Sequence, residues 1–449
     1  MWRRNGTGGW QDNLKGTAMT LFASFAVFRN RAFTLLWAAQ LISTMGSALT
    51  RLAAALVVYR LTGSALSVGL MMLAPTLPSL FVGLLAGVVV DRFDRKQLMI
   101  AANLGCAGLV ALIPLLLPLH IAWLYVLVIL SGAVGQFYNP AHEGLLPEVA
   151  SDEELAAANA LMAISTYGSQ AVGFAASGLL AASVSIAWAF YLDALSFVLA
   201  AGCIVGVRVA RFPVEGHTTL LTVVHDLRVG VRFLGSKPIL RSLFLIYMPV
   251  FVCFGLGTAL LLPLSQRALH ATEFEYGLIA ALEAAGFILG SLLIARLAGR
   301  QPAGRWIALS FLGMGVFGIA LSQLPTVPLV ALVILIVGIN NAPSIVGRQL
   351  VIQRNTPREL RGRVNSAFFV TRDVMYMIGM ALAGLADFMD VRTLYLGGEV
   401  VVLAAGALVL ILPGLGRPVA DWRRALGHWW APRPVAAAES VPASYRPVD

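Results

Sequence analysis

Apolar runs long enough for a helix to cross a lipid bilayer recur along almost the whole chain. They lie near residues 33–60, 65–90, 97–118, 121–141, 155–182 and 185–207 and, after a polar stretch at 208–237, near 238–265, 273–298, 304–323, 327–349, 362–388 and 392–413. A helix needs about 20 mostly apolar residues to cross the ~30 Å hydrocarbon core. Within that core no water completes backbone hydrogen bonds, so a crossing segment must be a helix or part of a closed barrel. Unbroken runs of this length fit helices. The expected fold class is an all-α integral membrane protein with twelve transmembrane helices.

Composition and charge placement agree. Only 12% of the 449 residues are charged and 59% are hydrophobic, too little charge to cover a soluble surface of this size. The net charge of +10 could suggest nucleic acid, but its placement points elsewhere. With both termini in the cytoplasm, basic residues gather in the terminal segments, the central polar stretch and three connectors on that side, Arg348 being counted with the tenth-to-eleventh one. The exceptions are Arg51, Arg60, Arg267, Arg372 and Arg392. This is the positive-inside pattern. It implies a multi-pass protein of the cytoplasmic membrane with both ends inside, a lipid partner and no nucleic-acid partner. Cys106, Cys203 and Cys253 sit in separate apolar runs, and the histidines are scattered, so neither a disulfide framework nor a metal site is expected. The opening MWRRNGTGGWQDNLKG lacks the apolar core of a removable leader.

The two groups of six runs resemble each other. LTGSALSVGL at 61–70 aligns with LHATEFEYGL at 269–278, and Gly132, Asn159, Gly173 and Gly178 align with Gly338, Asn365, Gly379 and Gly384. Parallel six-helix repeats joined by a loop are a transporter plan. The expected organisation is a cytoplasmic segment 1–32, a six-helix bundle 33–207, a linker 208–237, a second bundle 238–413 and a basic tail 414–449. Within the linker, Leu220, Val223, Val224, Leu227, Val231 and Leu234 recur at helical spacing, which predicts an amphipathic helix against the cytoplasmic face. Trp422, Trp429 and Trp430 beside Arg423 and Arg424 suggest interfacial anchoring of the tail, with an inert tail as the alternative.

One tight turn is unlike the rest of this oily chain. GVVVDRFDRKQ, at 87–97, packs Asp91, Arg92, Asp94, Arg95 and Lys96 between the second and third spans. Gly87, Asp91, Arg92, Arg95 and Lys96 resemble the G-x-x-x-D-R-x-x-R-K signature of the major facilitator superfamily. LLPEVASDEELAAANALM at 145–162, YLDALSF at 191–197 and VIQRNTPRELRGRVNS at 351–366 are similar to its efflux branch of macrolide-efflux-type and siderophore-exporter-type carriers. The resemblance implies that Asp91 docks on the N-terminus of the eleventh helix and clamps the halves, a contact worth ~0.3–1 kcal/mol. Arg92 and Arg95 would hold nearby carboxylates or headgroups. The second-half equivalent is eroded to Ala295 and Gly299, leaving Arg300 and Arg305. The fourth-span arginine and fifth-span Gly-Pro pair common in such exporters are absent; Gly173-Phe174 stands at the latter position.

Ionisable groups inside a span cost at least ~2.5–3.5 kcal/mol near its centre, so each is a functional candidate. Glu283, with no charge within a turn, suits reversible proton binding; Arg372 and Asp373, about 100° apart on the eleventh helix, could each meet a different partner. These three are the candidate proton-coupling residues. Arg51 could face an anionic or zwitterionic substrate or neutralise Asp373 or Glu283. Gln40, Gln136, Tyr138, Asn139, Gln170, Asn340 and Asn341 complete the candidate substrate cavity, while Asp193 has the character of a structural residue. Pro75, Pro78 and Pro343 should bend their spans.

No GxxxxGK[ST] motif or convergent catalytic cluster is present, so neither ATP drive nor an enzyme is expected. The expectation is a monomeric secondary transporter without a cofactor, drawing on a proton gradient to export a hydrophobic or amphiphilic small molecule by alternating access. The alternatives are a lipid, lysolipid or dedicated metabolite carrier and, more remotely, a multispan membrane enzyme.

Overall fold

The computed structural model describes residues 26–82, 93–149, 155–208, 220–297, 301–412 and 415. Its helices are α1 (Arg31–Thr62), α2 (Ala65–Leu73), α3 (Arg95–Leu116), α4 (Ala122–Gly135), α5 (Tyr138–Val149), α6 (Leu155–Ser183) and α7 (Ala187–Val205) in the first half. The linker helix is α8 (Leu220–Ser236). The second half holds α9 (Pro238–Pro263), α10 (Glu273–Leu297), α11 (Ala303–Gln323), α12 (Val327–Asn355), α13 (Arg358–Leu382) and α14 (Val391–Ile411). Gly87, Asp91 and Arg92 lie outside the described residues, as does the tail with Trp422, Arg423, Arg424, Trp429 and Trp430.

Among the described residues, ten helices are long and apolar enough to cross a membrane. The expected second and fifth spans are the exceptions. The second is described only to residue 82, with a shorter apolar stretch at Ala65–Ser79. The fifth, α6, is 29 residues long, but Asn159, Ser165, Thr166, Ser169 and Gln170 lower its hydropathy. The all-α membrane fold expected from the sequence is borne out.

Local chemistry sets the helix ends. Asn30 caps α1 by accepting hydrogen bonds from the Ala32 and Phe33 amides at 3.0 and 3.3 Å. Gly63 ends it in the left-handed conformation, φ 64°, and Ser64 at once caps α2. Thr272 and Glu275 form a reciprocal capping box at the start of α10. Past α2, Pro75 and Pro78 break the regular helix, and the chain continues as a short 3₁₀ turn, Leu77–Leu80.

The halves repeat one another in their tightest contacts. A side chain on Gly173 would strike the Met45 carbonyl of α1, and one on Gly379 the Val252 carbonyl of α9. Gly132 lies against Pro75, and Gly338 against the Glu283 backbone. Between halves, Gly69 meets the Met380 carbonyl while Gly277 meets the Phe174 carbonyl. Small residues at such crossings let helices approach closely where no water drives them together. His270, the one positive-φ non-glycine residue among those described, occupies the turn that corresponds to Gly63.

The buried clusters show where the halves join. One gathers Leu52, Leu56 and Tyr59 with Leu260, Leu262, Tyr276 and Met380, at the end of the bundle marked by Gly63. Toward the other end, marked by Lys96, one cluster draws only on the first half and another only on the second half with Leu234 of α8. The linker helix packs on α13, where Gly230 lies against the Arg363 carbonyl.

Candidate functional site

Four arginines stand at or just behind the Gly63 end; two of them, Arg60 and Arg267, reach across between the halves, and Arg392 ties turns within the second half. Arg60 of α1 forms a two-pronged ion pair with Glu273 of α10 and donates to the Ala181 carbonyl of α6 at 3.1 Å. Its counterpart in the second half, Arg267, pairs with Asp387 at 3.0 Å and donates to the Ala386 carbonyl at 2.9 Å and to the Gly63 carbonyl. Asp387 accepts from the Ser64 hydroxyl at 2.6 Å and from the Ala65 and Leu66 amides at 2.8 and 3.1 Å. A carboxylate from α13's end thus caps α2 of the other half. Arg392 holds three carbonyls, of Ser322, Leu324 and Ala268, at 2.7–3.1 Å. Arg60, Arg267 and Arg392 are three of the five basic residues that the topology left unexplained; the fourth arginine, Arg51, lies deeper in the first half.

Behind this seal the halves touch backbone to backbone. A Cβ on Gly178 of α6 would stand 2.8 Å from the Glu273 carbonyl oxygen and 3.0 Å from the Gly277 Cα. Further along the same crossing the Tyr167 and Phe287 rings lie 4.1 Å apart.

A cavity of about 390 Å³ opens within the first half, lined by residues of α1 to α7. Six of the eight predicted cavity residues, Gln40, Arg51, Gln136, Tyr138, Asn139 and Gln170, line it. Gln40 Oε1 and Asn103 Nδ2 are buried in its wall with no hydrogen-bond partner among the described residues, while the Thr50 hydroxyl faces Asp193 and the Tyr138 hydroxyl faces Ser43. Such a wall can exchange hydrogen bonds with a polar ligand. Arg51 makes no hydrogen bond or ion pair among the described residues and lies within electrostatic reach of Asp193 and Tyr376. Asp193, buried against Gly46 and Ser196, also reaches this wall. The remaining two predicted residues belong to α12. Asn340 lies instead at the α11–α12 contact, its side chain against Gly313 and donating to the Ile336 carbonyl at 2.9 Å. Gly313 leaves room there for the amide. Asn341 is half-buried, and its carbonyl accepts from Ser344.

The candidate coupling residues belong to the second half. Glu283 is exposed and has no ion partner among the described residues, although Tyr376 stands within its electrostatic reach. Tyr376 is also in reach of Arg51 and Arg372, so one hydroxyl relates the charges of both halves. It is hydrogen-bonded to Thr258 at 2.6 Å. Arg372 and Asp373 do not go to different partners: they pair with each other at 2.7 Å. Their side chains are long enough to fold back along the helix and close the 100° between them.

Of the signature turn, Arg95 and Lys96 are described. Arg95 pairs with Glu148 at 2.5 Å and donates to the Gly144 carbonyl at 2.9 Å, which ties α3 to α5. Lys96 donates to the Val205 and Val207 carbonyls at 2.8 and 2.7 Å, closing the end of α7. Among the described residues, no group of three His, Cys, Asp or Glu is placed to hold a metal.

Sequence reasoning missed Arg348, which the topology count put in a connector. It lies inside α12, 8% exposed, under the rings of Phe368 and Phe369. It also missed the Asp387 cap. The signal available was the recurrence of Arg60 and Arg267 at equivalent places in the two repeats.

A bundle of two like halves, sealed at one end and lined with polar side chains at mid-length, is the build of a membrane transporter. The Major Facilitator Superfamily profile matches residues 36–380 and 243–441, and the chain belongs to that family. It is 26% identical to the multidrug efflux pump Tap of Mycobacterium tuberculosis over 423 residues, covering 89% of this chain and 98% of that one. It is likewise 26% identical to the macrolide efflux protein A of Streptococcus pyogenes, over 63% of this chain and 71% of the relative. The crystal structure of a point mutant of the nucleoside transporter NupG superposes with a TM-score of 0.70 at 12% identity, over 84% of this chain and 98% of that one. The chain is a transporter, not an enzyme, and its relatives include efflux pumps.

Proposed function

We propose that the protein exports a hydrophobic or amphiphilic small molecule across the cytoplasmic membrane by proton-coupled antiport. The observation that carries the reading is the one-sided seal. At the Gly63 end the halves share a buried cluster and two inter-half carboxylate contacts, Arg60–Glu273 and Asp387 on α2. At the Lys96 end, among the described residues, each buried cluster stays within one half. In an alternating-access carrier this is the state open on the Lys96 side. The positive-inside pattern of the basic residues supports a cytoplasmic position for that side. The cavity of the first half then receives its ligand from within. The names of the relatives, multidrug and macrolide efflux, support export of such compounds.

Glu283, exposed with no ion partner among the described residues, is the proton carrier in this scheme, and Asp373 the second candidate. Asp91 clamps the cytoplasmic end in the opposite state. The chain acts as a monomer within the bilayer, without a cofactor.

The test is dye extrusion from cells expressing the chain, with and without a protonophore. Expected are protonophore-sensitive extrusion and at least a tenfold loss in Glu283→Gln, with normal membrane levels. Extrusion that survives both the protonophore and Glu283→Gln with Asp373→Asn refutes the coupling. Unaltered extrusion by Asp91→Asn refutes the clamp.

A further inference from the structure

The inner wall of the second half carries more positive charge than it neutralises. Arg348 is 8% exposed, and its guanidinium has no hydrogen bond or ion pair among the described residues. What flanks it is aromatic: the Phe368 and Phe369 rings, with centroids 4.9 and 5.3 Å away. Arg372 lies over the same Phe369 ring, at 4.7 Å. Two guanidiniums thus share one ring, and among the described residues one carboxylate, Asp373, answers them. An arginine stays charged in any protein, and burial without an acceptor is costly unless an anion joins it.

Two further features make this a binding face. Phe369 is 38% exposed, so the ring between the arginines is open rather than packed away. Tyr167 of the other half is within electrostatic reach of both Arg348 and Arg372 and its ring lies tilted against Phe287, extending the aromatic wall. Glu283 reaches Tyr276, Tyr376, Tyr395 and Glu399 but not Arg348, and Tyr376 is in reach of both it and Arg372.

We infer that Arg348, Phe369 and Arg372 bind the acidic group and adjoining ring of the transported amphiphile, so that the preferred substrate is an aromatic organic anion. The inference rests on the exporter reading for its direction of transport. A planar guanidinium receives a carboxylate through two parallel donors. The ring faces beside it accept the flat apolar part of the same molecule.

The probes are 1-pyrenebutyrate and 1-pyrenebutylamine, one aromatic body carrying either an acid or an amine. Binding to the purified full chain in nanodiscs is read by energy transfer from tryptophan, with empty nanodiscs subtracted. The acid should bind at least tenfold more tightly than the amine. Arg348→Gln should weaken the acid at least tenfold and leave the amine within twofold. Phe369→Leu, at an exposed ring, should weaken the acid several-fold, and it serves if Arg348→Gln does not fold. Equal or tighter binding of the amine overturns the inference. So does equal weakening of both probes by Arg348→Gln, the result expected if the arginine only fastens α12 to α13. Acid binding without protonophore-sensitive extrusion keeps this site and removes the exporter. Extrusion of the amine alone does the reverse.

Discussion

Removing Asp387 should tip the carrier toward the state open at the Gly63 end. Its carboxylate caps α2 with two backbone amides and the Ser64 hydroxyl and also holds Arg267. A helix cap is worth about 1 kcal/mol. The charge at the helix end adds roughly 0.3–1 kcal/mol. The Arg267 pair lies within the second half and persists when the halves part, so it adds nothing to the difference between the states. The cap bridges the halves, so its three hydrogen bonds vanish when the halves part. Asp387→Ala therefore loses about 1.3–2 kcal/mol from the closed state alone, which shifts the equilibrium roughly 10- to 30-fold. An open state held at about 1% would rise to roughly 10–25%. Asp387→Asn keeps an acceptor for the amides and should shift it about tenfold or less. Spin labels at Ser185 and Met389, exposed in turns of opposite halves at this end, report the change by electron–electron distance measurement in a background lacking the three cysteines. A longer-distance population should grow in the order parent, Asn, Ala. Identical distance distributions in parent and Asp387→Ala, both folded, would show that the cap is not what holds the halves together.

Gly277→Val places two methyls where the backbones of α6 and α10 nearly touch, so it should insert normally yet lower dye extrusion at least tenfold. Normal extrusion by that variant would mean the crossing opens freely. Lys96→Ala frees two carbonyls at the end of α7 and should cost about 1–3 kcal/mol, read as a fall of a few degrees in the melting temperature. An unchanged melting temperature would remove that anchoring role.

Much of the fold was legible before any coordinates. Span lengths follow from apolar runs, and the matched glycines of the repeat returned as matched helix crossings. Six cavity residues were legible because a polar side chain in a span has few places to go other than the interior. Facing was harder to read. A membrane helix is apolar toward lipid and toward its neighbours alike, so hydropathy does not mark which way Asn340 turns. Arg348 was hidden by its place near a span's basic end, where charge usually marks topology. Asp387 was hidden because its partners are backbone amides of a helix more than 300 residues away, a contact with no local pattern.

The paired glycines at positions 178 and 277 have a mechanical consequence. From Gly277 to the far end of α10 at Leu297 is a rod of roughly 30 Å. If that touching point serves as the fulcrum, a tilt of about ten degrees carries the free tip about 5 Å by the same geometry. Extra bulk the size of a single methyl at the pivot is therefore magnified several-fold where cargo enters. Evolution could retune the width of such a gateway without altering any residue that lines it.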